Sequence, residues 1–381
     1  MHEHFSRREL LRGLGVAAGL SLARPAWSAD APASPVAVAR CDGYGEPLAG
    51  ALDRMFDQLG GLGRLVKGKT VAVKINMTGW STQRVGHVPA ELAHWTHPRV
   101  VGATAHLMAR AGARRIRILE CGYCTAEPLE EVMLAANWDP RLLLGAAPNV
   151  EFENTNWLGG ARSYSRVKPP KGGYVFPYYE LNHSYEDCDV FVSVAKLKEH
   201  ATCGVTLSMK NCFGITPCTI YGDGAGGKDA ALEFPQGGRG ILHLGDKMPA
   251  GHKENDPKSP REGGYRVPRI VADLVAARPI DLAIIDGIAS IQGGEGPWIE
   301  GVKPNHPGLL VAGTNCVCTD AVATALMGFD PSARRGTAPF EDCDNHLLLA
   351  QDFGVGACDL KRIEVAGIPI SQAVYPFRRK V

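Results

Sequence analysis

Apolar and polar positions divide the chain into alternating strand-like and helix-like stretches. Val36–Arg40 reads as a short strand. Residues 47–62 carry helical spacing through Leu48, Leu52, Met55, Phe56 and Leu59, then run into glycines. Residues 70–76 are an apolar run that ends in polar groups, the pattern of a buried strand. Residues 98–111 form a helix pattern with Pro98 at its start and Gly112 at its stop. Arg115–Glu120 is a strand ending on a carboxylate, and 127–137 a helix. The stretch 150–185 is rich in Gly, Pro and Tyr and reads as a meander or an insertion. Strands then follow at 189–195, 281–286, 307–312 and 362–365, with helices at 265–278, 316–328 and 345–353. This alternation predicts an α/β fold: a mostly parallel, Rossmann-like sheet with helices on both faces. Residues 216–264 break the pattern with glycines and charges and no apolar periodicity. They predict a Gly-rich insertion, functional or mobile rather than core.

Composition sharpens this outline. The chain has 381 residues, of which 45 are Gly, in keeping with many tight strand-to-helix turns. Residues 29–381 are expected to form one α/β domain. The alternative is two lobes, about 36–215 and 265–375, with 216–264 an insertion loop. Net charge is +1, so no basic excess favours nucleic acid. After residue 30 no apolar run approaches the ~20 residues that span a bilayer, so no stable membrane span is expected.

The first 28 residues read as a signal. Ser6-Arg7-Arg8-Glu9-Leu10-Leu11-Arg12 precedes an apolar stretch at 13–22 and a small-residue tail, with cleavage placed near Ser28. Adjacent arginines after Ser fit the twin-arginine type. The expected partner is the twin-arginine translocase during export, and the expected location the periplasm. That route carries folded proteins, often with a cofactor already inserted.

All eleven cysteines follow this segment. An odd number outside the cytosol leaves at least one thiol unpaired, metal-bound or modified. Cys121 and Cys124 have redox or metal-pair spacing, and Cys203, Cys212 and Cys218 lie close along the chain. These five are the metal candidates, beside the alternative of disulfides and buried free thiols.

The densest chemistry lies in 189–214. A strand delivers Lys196, Lys198 and His200 at its carboxyl end, where open α/β sheets bind ligands. If the strand continues, alternation puts all three on one face. A turn at Gly204 leads to a short helix with Lys210 and Asn211. So many cations together need an anion or acidic side chains to neutralise them. Lys196, Lys198, His200 and Lys210 are therefore the catalytic candidates, around a small anionic ligand. Lys74, Asn76, His97, Glu120, Asn211 and Asp286, at strand ends and helix starts, are the candidates for binding substrate or cofactor. The loop Gly293-Gly294-Glu295-Gly296-Pro297 lacks the lysine of a P-loop.

Several of these segments, in order, resemble the uncharacterised family labelled domain of unknown function 362. They are Val73-Lys74-Ile75-Asn76, Thr96-His97-Pro98, Ala111-Gly112-Ala113, Lys196-Leu197-Lys198-Glu199-His200, residues 204–214, Ile285-Asp286-Gly287 and Thr319-Asp320-Ala321-Val322-Ala323. Many relatives are joined to ferredoxin-type iron–sulfur modules, so the resemblance brings in an iron–sulfur cluster as a candidate cofactor. More distantly, His200-x-x-x-Gly204-x-Thr206-x-x-x-Lys210 is similar to a catalytic segment of lactate racemase and its relatives. There the resemblance implies His200 as proton-transfer or hydride-partner base. It implies Lys210 as anchor of a nickel-containing nucleotide.

Three functions are expected to compete. The first is an exported cofactor- or metal-dependent enzyme acting on a small carboxylate, racemase/epimerase-like or redox. The second is an iron–sulfur or metal-binding redox protein, and the third a non-catalytic periplasmic anion-binding protein.

Overall fold

The computed structural model of the protein describes residues 31–377, except 124, 126, 224, 226–237 and 250. The expected signal, Cys124 and part of the Gly-rich stretch lie outside the described residues.

Eight strands form the main sheet. In chain order they are β1 (Val36–Arg40), β2 (Thr70–Lys74), β3 (Arg115–Glu120), β4 (Val150–Asn154), β5 (Val190–Lys196), β6 (Leu282–Gly287), β7 (Leu309–Gly313) and β8 (Val365–Gly367). Their spatial order is β8-β1-β7-β6-β5-β2-β3-β4. All pairings are parallel except those of β7, which runs against both β1 and β6. The stretches 36–215 and 265–375 thus both give strands to one sheet.

Alternation explains the layers. Val71 and Val73 face one core, with Val190, Val192 and Val194, while Ala72 and Phe191 face the other. The first face is covered by α1 (Pro47–Gln58) and α2 (Pro98–Arg110). The second is covered by α3 (Leu207–Asn211), α4 (Gly263–Ala277), α5 (Cys316–Leu326) and α6 (His346–Asp352). Strands buried on both faces read as continuous apolar runs, which is why they were legible in sequence.

The strand order reverses between β2 and β5. From β2 the chain moves outward through β3 and β4, then returns to the other side of β2 to lay down β5 and β6. Loops leaving β2 and β5 therefore diverge and open a crevice at their carboxyl ends, the usual ligand position of such sheets.

Candidate functional site

That crevice is built from the ends of β2, β3 and β5 and from α3. Lys74 closes β2 and Glu120 closes β3, with Lys74 Nζ 2.6 Å from Glu120 Oε1. Glu120 Oε2 accepts from the Met77 amide at 2.9 Å. Burial pushes the Glu120 carboxyl above its ordinary range, against the pull of Lys74. Asn211 stitches α3 to this pair. Its Oδ1 accepts from Lys74 Nζ at 3.2 Å and from Asn76 Nδ2 at 3.0 Å, and its Nδ2 donates to Ser193 Oγ at 3.0 Å.

The helix itself is pinned from α5. Asp320 accepts from the Ser208 amide at 3.0 Å, the Ser208 hydroxyl at 2.5 Å and the Met209 amide at 2.8 Å. These satisfy donors that the first turn leaves open. Burial still pushes the Asp320 carboxyl up to about 7. Leu207, at the start of α3, has φ 47°, a conformation rare for a non-glycine residue. Such strain persists only where surrounding contacts hold it, as Asp320 does here.

β5 ends at Lys196, and Glu199–His200 pairs with Gly204–Val205 in a separate small hairpin. The continuous strand expected through Lys196, Lys198 and His200 is therefore interrupted, and the three side chains do not share one setting. Lys198 and His200 line the crevice. Lys198 Nζ donates to the carbonyls of His94 at 2.7 Å and Glu295 at 2.9 Å. Its burial drives the ammonium well below its ordinary value. His200 Nδ1 accepts from the Thr202 amide at 3.2 Å. A ring nitrogen that accepts cannot carry the proton, so neutral His200 holds its hydrogen on Nε2. Burial, then the charge of Lys210, keep it neutral well below its usual range.

Lys210, one helical step before Asn211, places Nζ 4.4 Å from the centre of the Phe213 ring. Burial lowers its ammonium to about 8. Among the described residues no carboxylate pairs with it. The inner crevice has a volume of about 70 Å³. It opens into an outer chamber of about 410 Å³, which shares His200, Lys210, Phe213, Tyr123, Arg239 and Glu295 with it. Cationic side chains from Lys74, Lys198, Lys210 and Arg239 outnumber the carboxylates of Glu120 and Glu295.

Lys196, Asp286 and His97 belong elsewhere. Lys196 Nζ lies 2.9 Å from Asp286 Oδ2, both side chains fully buried. Tyr44 Oη donates to Asp286 Oδ1 at 3.0 Å, and the His97 amide to Oδ2 at 3.0 Å. The His97 ring caps α2 by accepting from the Arg99 amide and stacks on Tyr44, with centroids 3.6 Å apart. Lys196, Asp286 and His97 thus neutralise and cover one another away from the crevice, because the β5–β6 register sets Lys196 beside Asp286.

The thiols also separate. Cys121 Sγ lies 3.1 Å from Thr155 Oγ1, Cys203 Sγ 3.4 Å from His346 Nδ1, and Cys212 Sγ donates to the Ser208 carbonyl at 3.5 Å. Cys218 is buried. Burial raises the thiols of Cys121 and Cys212 to about 12 and pushes that of Cys203 well above its ordinary value. The described cysteines are all free and buried. Among the described residues no three His, Cys, Asp or Glu side chains gather into a metal-holding group. Cys203 and Cys212 thus turn to different partners, and closeness along the chain did not become a common ligand set among the described residues.

Glu295, Arg239, Tyr123, Phe213 and Trp298 are site residues that the sequence pattern does not announce. Glu295 sits in the singled-out glycine loop, where its Oε2 accepts from the Ala201 amide at 2.9 Å and its Oε1 from Trp298 Nε1 at 2.9 Å. Arg239 comes from the Gly-rich stretch. Its Nε donates to the Thr216 carbonyl at 2.8 Å.

Three comparisons relate this chain to known proteins. The chain is 26% identical over 286 residues to a thylakoid-associated protein of Synechocystis sp., covering 75% of this chain and 71% of that protein. It is similar to the lactate racemase apoprotein from Thermoanaerobacterium thermosaccharolyticum at 12% identity and a TM-score of 0.35, covering 75% of this chain. The match spans 56% of that racemase chain. The family model described as Domain of unknown function (DUF362) matches residues 71–325, two thirds of the chain, and the chain belongs to that family.

Proposed function

We propose that the protein is an enzyme acting on a small carboxylate, by racemase/epimerase-like or redox chemistry, in the crevice between β2 and β5. The observation that supports this reading most is Lys210, a half-buried, desolvated ammonium that opens on a cavity beside His200 without a carboxylate partner among the described residues. A buried cation left without a counter-ion is costly, and a substrate carboxylate supplies the missing charge. Lys210 and Arg239 would bind that carboxylate. His200 would donate from Nε2 to an oxygen on the neighbouring carbon and stabilise charge that builds there. Accepting a proton at Nε2 requires the ring to have given that hydrogen up first, so donation is the first step this tautomer supports. The leader sequence supports assigning the site to the periplasm after twin-arginine export.

An iron–sulfur cluster does not fit the described thiols of Cys121, Cys203, Cys212 and Cys218, which form no common ligand set. A nucleotide-type group fits better: Lys210 Nζ opens on a chamber of about 410 Å³, a usual size for a cofactor site. In that form Lys210 would hold the group, leaving Arg239 to meet the substrate carboxylate and His200 Nε2 as the available ring donor, and the group would supply hydride-type redox chemistry.

Intact mass and elemental analysis of protein purified anaerobically from its own periplasm test the reading, together with acetate binding followed by thermal stabilisation. Stabilisation should grow as RT ln(1 + [L]/Kd) and vanish in Lys210→Met. An added mass on Lys210 with near-stoichiometric nickel supports the redox form. Bare protein that binds acetate but interconverts no chiral 2-hydroxy acid would reduce the protein to an anion binder. A protein that acetate does not stabilise would overturn the reading.

A further inference from the structure

The crevice has two unlike parts. The inner part is small and charged, with room for a carboxylate head. The outer chamber, about six times larger, is walled by aromatic rings. Trp80 and Trp298 are 49% and 43% exposed, although exposed tryptophans are disfavoured in a folded chain.

Trp298 is nevertheless held firmly. Its Nε1 donates to Glu295 Oε1 at 2.9 Å, and its ring meets that of His94 edge-on at 5.8 Å. Two glycines make its seat. A Cβ on Gly79 would lie 2.5 Å from the Trp298 ring, and one on Gly296 2.3 Å from it. Gly79 also has φ +83°, which favours glycine independently. Trp80, next in the chain to Gly79, meets Tyr123 edge-to-face at 5.4 Å. A rigid, exposed indole seated on two bare backbones is a prepared surface for a flat group.

The polar atoms of the same chamber are mostly committed to neighbours. Gln83 Oε1 accepts from the Trp80 amide at 2.8 Å. Thr202 Oγ1 lies 3.4 Å from His200 Nδ1, and His243 Nδ1 3.0 Å from the Arg239 carbonyl. Both Glu295 oxygens are engaged. Lys210, Arg239 and His200 Nε2 serve the carboxylate end, so few groups remain along the aromatic wall to satisfy a hydroxyl-rich ligand, and a buried unsatisfied hydroxyl costs more than it returns. That separates an aryl ring from a sugar ring, which indoles also accept.

We infer that the ligand of this crevice is an aryl-substituted carboxylic acid, its carboxylate at Lys210 and its ring against Trp298 in the outer chamber. The inference rests on the carboxylate reading above and narrows it from any small carboxylate to one with a planar apolar tail.

The test titrates the purified full chain with phenylacetate, acetate and gluconate, following tryptophan fluorescence and thermal stability. Phenylacetate should bind at least about tenfold more tightly than acetate, the gain expected from burying a phenyl ring. Trp298→Ala should reduce that ratio to within about threefold, with phenylacetate losing more affinity than acetate. Trp80→Ala gives a second reading of the same wall should the first variant fold poorly. Lys210→Met should weaken both acids together. Equal binding of phenylacetate and acetate, or tighter binding of gluconate, would overturn the aryl inference and leave the carboxylate reading standing. No binding of any of the three would remove the reading on which it rests.

Discussion

Lys196 and Lys210 lie in one motif, yet the fold treats them oppositely. Lys196 is sealed, with Nζ 2.9 Å from Asp286 Oδ2 and a further bond to the Glu91 carbonyl at 3.1 Å. Tyr44, His97 and the Ile288 amide complete the shell around that carboxylate. Lys210 has an aromatic face at 4.4 Å and a cavity in front of it. The residue type is the same and both are desolvated. What differs is where the counter-charge comes from: another strand of the same sheet for Lys196, something outside the chain for Lys210. A cation neutralised internally acts as scaffold. One left to an external partner is a binding group.

The largest effect is expected at Lys196. Lys196→Met leaves Asp286 buried without its cation, and stability should fall by about 3–5 kcal/mol in denaturant unfolding. Removing both charges in Lys196→Met/Asp286→Leu should recover much of that loss. If the single variant is as stable as the native chain, the pair is not the scaffold described.

At Lys210 the expected sign reverses. Lys210→Met removes a desolvated ammonium, so stability should stay level or rise by about 1 kcal/mol, discounted because the group is partly exposed. Phenylacetate affinity should fall about 30–100-fold, the scale of a charge-assisted bond. Calorimetric titration beside thermal unfolding separates the two effects. A variant that loses stability and affinity together would make Lys210 a second structural lysine.

pH sharpens the contrast at a smaller scale. Lys210 is lowered by burial to about 8 from an ordinary 10.5. The ammonium that binds the anion is therefore lost as pH rises through 8, and affinity should weaken about tenfold between pH 7 and 9. Stability should move the other way. Between pH 8 and 10.5 the unfolded chain holds this proton and the folded chain does not, so the Lys210 contribution favours folding increasingly over that window. Affinity flat to pH 10 would show that the ammonium is not the anchor.

Sequence carried much of this because buried strands advertise themselves. Residues 70–76 are an apolar run that ends in polar groups and Arg115–Glu120 a strand that ends on a carboxylate, and those ends line the crevice as Lys74, Asn76 and Glu120. Lys198, His200, Lys210 and Asn211 were equally visible, since a charged group inside apolar sequence has few places to go. Register was not visible. Only the pairing of Asp286 with Lys196 across β5 and β6 reveals that this lysine is already neutralised. The reversed direction of β7 was hidden too, because a short apolar strand reads the same in either direction. Trp298 and Glu295 act through a glycine loop whose shape depends on residues more than 200 positions earlier, at Gly79. Periodicity carries no trace of such a contact.

The smallest effect probes the floor shared by scaffold and site. A Cβ on Gly214 would lie 3.1 Å from Lys74 Nζ and 3.5 Å from Glu120 Oε1. The lysine end can yield by a few tenths of an ångström, so Gly214→Ala should cost about 1 kcal/mol of stability or less. The displaced volume comes from an inner crevice of only about 70 Å³, where the carboxylate head sits. Acetate and phenylacetate should therefore both weaken about threefold, with their ratio unchanged because the aromatic wall is untouched. A changed ratio in Gly214→Ala would mean that the ring, not the carboxylate, occupies the inner end. The ligand would then lie the other way round, with its anion out toward Arg239 and its tail against Lys74.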